Sequence, residues 1–129
     1  MPALTRWFIR AGMLYLLASL IISVGLALDP TGVPAGLRPA SLHLFVVGWI
    51  TQLIFGVAHW MFPRASREHP RGREPLGWAA FWLLNAGLLL RAITEPAGTP
   101  GPWLALSGGA QLAAALCWVG LIWPRVKER

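Results

Sequence analysis

Four apolar runs, each 17 to 22 residues long, occupy most of this 129-residue chain and decide what it can fold into. They cover 7–28, 41–62, 77–93 and 103–123. A helix of about 20 residues spans the roughly 30 Å of hydrocarbon in a bilayer, whereas a spanning barrel needs alternating segments of about ten. Short connections make successive helices antiparallel neighbours. The expectation is an all-α integral membrane protein, an up-down four-helix bundle in one domain. Asp29-Pro30 with the loop after it, Pro63, the turn EPAGTPGP and Pro124 punctuate the runs. Only 12% of the residues are charged, about half the share of a soluble domain. Arg6 and Arg10 open the first run in the manner of a signal peptide. That run is a full span, with no clean small-residue cleavage site after it, and it reads as a retained helix.

The net charge of +6 suggests nucleic acid until the charges are located. Arg6, Arg10, Arg64, Arg67, Arg71, Arg73, Arg125, Lys127 and Arg129 fall on one side of the bundle, and only Arg38 and Arg91 on the other. Charges at membrane edges set orientation and form no stripe for a duplex. The positive-inside rule puts both termini in the cytoplasm of a bacterial inner membrane. Trp7, Trp60, Trp78 and Trp123 near the inner interface and Trp103 near the outer one agree with this. The basic loop RASREHPRGREP sets topology and can meet anionic headgroups, with His69 solvated. Cys117 is the only cysteine, which excludes an internal disulfide and a Cys-rich metal site.

Residues 41–64, SLHLFVVGWITQLIFGVAHWMFPR, carry two of the chain's three histidines. A histidine at membrane depth is a functional-site hypothesis by default. His43 and His59 are 16 residues apart, hence about 24 Å along the axis and about 160° around it, so they cannot share a metal. His43, at the outer end, is either an interfacial histidine or an axial heme ligand. The second reading gains from Arg38 and Arg91, whose guanidiniums at the same depth suit heme propionates. His59, at the inner end, is either a packing residue or a ligand in a second site with Met13 and Cys117, a donor set suited to copper or a second heme. Gly48, Gln52, Gly56 and His59 are spaced four, four and three and share one face that admits a close neighbour. Gln52, Asn85 and Gln111 read as interhelical hydrogen-bonding groups at mid-depth. No ionisable group lies at the midplane, which argues against an ion pump.

Residues 41–64 resemble the second transmembrane helix of the heme–copper oxidase catalytic subunit, including its cbb3-type and nitric-oxide-reductase relatives. His43 opening the helix, Gly56 within it and Pro63 closing it carry the resemblance. It implies that His43 ligates a low-spin b-type heme, with Arg38 and Arg91 as propionate partners. It covers about a fifth of the chain, and the later helices that would bring the second axial histidine and the copper ligands have no counterpart. It therefore implies no oxygen or nitric oxide reduction by this chain alone. The sixth ligand would come from a second copy, through a parallel homo-oligomer that brings two His43 rings to one depth, or the iron would stay open to a gas. The expected protein binds heme b and serves electron transfer, gas or redox sensing or oxidase assembly, with a respiratory-chain partner in the bilayer. The alternatives are a cofactor-free accessory membrane protein and a copper protein built on His59.

Overall fold

A computed structural model describes residues 1–63, 66–68, 72–98 and 101–126. Among these residues there is no strand. Four helices are long and apolar enough to cross a membrane: α1 (Ala3–Leu28), α2 (Leu37–Met61), α3 (Glu74–Thr94) and α4 (Gly101–Ile122), the last extended by a 3₁₀ turn over Trp123–Arg125. Arg64, His69, Arg71, Lys127 and Arg129 lie outside the described residues.

All four helices begin before the apolar runs do. Pro39, Pro75 and Pro102 fall within the first turns of α2, α3 and α4. A proline there lacks only an N–H that would have had no intrahelical partner, so it starts a helix rather than marking a loop. The earlier start sets His43 nearly two turns into α2 and draws Arg38 into that helix. At the end of α2 expected to be inner, Pro63 does act as a stop, and Phe62 is already extended.

α2 is not regular. Leu44–Thr51 is π-helical, and the Thr51 hydroxyl donates to the Val46 carbonyl five residues back at 3.1 Å. Val46, Val47, Ile50 and Thr51 in this stretch are β-branched and crowd a tight α turn. The widened turn lies directly after His43, and π-turns of this kind recur at functional sites.

Small residues let α1 and α2 approach. A Cβ on Gly48 would meet Tyr15 Cβ at 2.7 Å, and one on Gly56 would meet Phe8 Cβ at 3.0 Å. Gly48, Gln52, Gly56 and His59 are all buried, as their shared face predicts. Towards the start of α2 Ser41 donates to the Ser19 carbonyl at 3.3 Å, joining the same two helices. α3 and α4 form a second antiparallel hairpin, with Gly87 against Ser107, Ala110 and Gln111 and with Gly77 against Leu121. Where the hairpins meet, Phe8 is fully buried and packs edge-to-face on Phe55 (5.9 Å) and Phe81 (5.2 Å). Leu4, Leu84, Leu88 and Ala114 complete this core. Leu14, Ile21, Ile93, Leu112 and Leu116 point outward, as bilayer-facing side chains do.

The mid-depth amides divide into two groups. Gln52 and Asn85 form a reciprocal pair across α2 and α3, at 3.2 and 3.3 Å, and Asn85 also donates to the Phe81 carbonyl at 2.7 Å. Gln111 is elsewhere. It donates to the Ser107 hydroxyl at 3.2 Å, which in turn donates to the Gly87 carbonyl at 2.6 Å. Replacing Gln52 alone by Leu takes the donor from Asn85 Oδ1 and is expected to cost about 1 kcal/mol in detergent unfolding. The double variant Gln52→Leu/Asn85→Leu should recover most of that loss, because no polar group is then left without its partner.

Candidate functional site

The end of the bundle expected to be outer carries His43, Arg38 and Arg91. His43 is half-buried, and its Nδ1 lies 3.2 Å from the Pro39 carbonyl oxygen one turn earlier. A carbonyl can only accept, so Nδ1 donates here, and in the neutral form of the ring the lone pair lies on Nε2. This is the tautomer in which metal-bound histidines are held, their other nitrogen donating to a carbonyl or carboxylate.

Arg38 is exposed in the first turn of α2. Gly36, at the head of α2, rests on the carbonyl of Glu95, which brings the last turn of α3 to the level of the first turns of α2. Arg91 therefore lies within about a turn of His43 in height. Its guanidinium is engaged along its own helix: Nε meets Glu95 Oε2 at 3.0 Å, the side chains being 22% and 12% exposed. The spacing of four that makes this pair was present in the sequence and went unread.

The opposite end holds His59 in different company. His59 is 1% exposed, and its Nδ1 lies 3.2 Å from Nη1 of Arg125, itself 2% exposed. A guanidinium only donates, so this Nδ1 accepts and the neutral ring carries its proton on Nε2. Neither nitrogen then offers a lone pair to a metal. The two histidines are thus opposite tautomers.

The other donors considered with His59 are not gathered around it. Met13 is 50% exposed on α1. Its neighbour Gly12 faces the Trp49 carbonyl, so Met13 sits ten residues of α2, about 15 Å, away from His59. Cys117 is half-buried beside Trp118. The Trp118 ring stacks on Phe55 at 4.3 Å, which sets Cys117 about a turn above His59. Among the described residues no group of three or more His, Cys, Asp or Glu side chains could hold a metal ion. A heme held by a single histidine needs no such group.

Arg125 is the residue that reading the sequence missed, since it was counted only as one of the charges at the membrane edge. Besides His59 Nδ1, it donates through Nε to the Pro63 carbonyl at 2.9 Å and through Nη2 to the His59 and Phe62 carbonyls at 2.8 and 2.7 Å. The available signal was Pro124. It bends the chain at the end of α4, turning the next side chain back towards a helix end whose last carbonyls have no intrahelical donor.

A shallow apolar groove runs along the outward face of α2 past Leu53, Ile54, Val57, Ala58, Met61 and Phe62, and acyl chains would fill it in a bilayer. No protein-family model, no curated protein and no solved structure matches this chain.

Proposed function

We propose that this chain is a small multi-pass protein of a bacterial inner membrane, with both termini in the cytoplasm, that binds a b-type heme through His43 for one-electron transfer or redox sensing. The observation that carries the reading is the 3.2 Å approach of His43 Nδ1 to the Pro39 carbonyl: a ring that donates there leaves the Nε2 lone pair for iron. The resemblance of residues 41–64 to a heme-bearing helix of the heme–copper oxidases supports it. A bound heme would supply a one-electron couple. In this chain His43, its Nδ1 set against the Pro39 carbonyl, would hold the heme, and Arg38 and Arg91 would oppose its propionate charge. His43 of a second copy in parallel orientation would be the other residue to hold such a heme.

Absorption spectra of the detergent-purified protein, oxidised and dithionite-reduced, test this directly. The expected result is a reduced b-type spectrum that survives in His59→Ala and disappears in His43→Ala. A featureless spectrum after hemin is added, or one that persists in His43→Ala, would overturn the reading. A cofactor-free accessory protein is the second reading. It is favoured by the pairing of Arg91 with Glu95, which already balances the charge that a propionate would need.

A further inference from the structure

The two helical hairpins are joined unevenly. α4 packs along α3 over most of its length and reaches α2 through side chains, by the Phe55–Trp118 stack and by Arg125. At the inner end the joint is polar on both sides. α2 stops at Met61, so the carbonyls of His59, Phe62 and Pro63 have no helical donor, and all three receive one from Arg125. A guanidinium is planar and rigid, and its fork can serve several acceptors at once where an ammonium cannot. Buried without these carbonyls, the charge would be strongly unfavourable; buried without the charge, the carbonyls would be too. Neither half of the joint is tolerable alone in a dry interior.

We propose that the turn Trp123–Arg125 is a strap that closes the inner end of the bundle and docks or releases as a unit. When docked, Arg125 ends α2 and holds α4 against it. When released, the guanidinium moves to the membrane interface, the last turn of α2 takes its carbonyls to water, and α4 parts from α2. The α1–α2 and α3–α4 hairpins keep their own packing in both states, because Gly48 and Gly56 pack on α1 and Gly87 packs on α4 without any part played by Arg125.

Spin labels at Met61→Cys and Val126→Cys, both exposed positions, report the strap in the full chain with Cys117→Ala. A second pair at Ile21→Cys and Leu42→Cys, also exposed, reports the α1–α2 hairpin as a control. With Arg125 present, the strap pair should give a single narrow distance distribution. Arg125→Ala should broaden it and lengthen it by about 5 Å or more, a helical turn, while the control pair stays unchanged. Arg125→Lys keeps the charge but not the fork, and should fall between the two. An unchanged strap distance in both variants would overturn the proposal. So would loss of the control distance in both, since Arg125 would then hold up the whole fold rather than one joint.

Discussion

Gly87→Leu is expected to separate α4 from α3 and to destabilise the bundle by about 3 kcal/mol, the upper end of overpacking costs. A Cβ at this position already meets the Ser107 carbonyl oxygen at 2.9 Å, Gln111 Cγ at 2.9 Å and Ala110 Cβ at 3.2 Å. Two of these neighbours are fixed to the backbone of α4, so relief requires the helix to move rather than a side chain to turn. Movement also breaks the 2.6 Å hydrogen bond from the Ser107 hydroxyl to the Gly87 carbonyl, leaving the hydroxyl proton without that acceptor. The control is Gly109→Ala on the outward side of α4, where nothing lies within 4 Å of the added methyl. There the change gains helix propensity worth about 1 kcal/mol and should raise the unfolding midpoint slightly. Detergent-titration unfolding of both variants beside the parent checks the pair. A Gly87→Leu protein with parental stability would mean that the α3–α4 contact is looser than the glycine geometry requires.

The architecture was legible because hydrocarbon length is a blunt requirement: 17 to 22 apolar residues between prolines and glycines leave few alternatives to a spanning helix. Helix starts were less legible. Pro39, Pro75 and Pro102 look like loop residues in a one-dimensional reading and are first-turn residues in three dimensions. The π-helical stretch left no trace that a hydrophobic pattern could reveal, since every residue of it is apolar except Gly48 and Thr51. Mid-depth amides could be recognised as glue from their cost in hydrocarbon, and Gln52 with Asn85 meets that expectation. Their pairing could not be assigned, and Gln111 joins Ser107 because α4 packs on α3 rather than on α2 at that height. The candidate ligands show the same limit. Helix counting placed His59, Met13 and Cys117 at similar depth, but burial and register separate the first two. Depth says nothing about which face a side chain occupies or which group its ring nitrogen serves, and at both histidines those two facts decide the chemistry.

Phe8→Ala is expected to cost about 2 kcal/mol in the same unfolding measurement, less than the 3–5 kcal/mol typical of soluble cores. Lipid is as apolar as leucine, so exchanging a protein interior for bilayer forfeits little transfer energy, and close packing carries what remains. Phe8 is fully buried and sits between Phe55 of α2 and Phe81 of α3 in two edge-to-face contacts, each worth about 1 kcal/mol beyond area. Losing the ring also leaves a cavity where three helices converge, beside Gly56, whose missing side chain gives no atoms to fill it. Phe8→Leu keeps the volume without the ring edges and should cost about half as much. Leu14→Ala is the informative comparison, because Leu14 is 68% exposed on the outward face of α1. In a bilayer that exposure is to acyl chains, and the substitution should be nearly neutral. A cost at Leu14 similar to that at Phe8 would show that a second copy, not lipid, covers α1. It would also place the face for the parallel dimer that a shared His43 ligand requires.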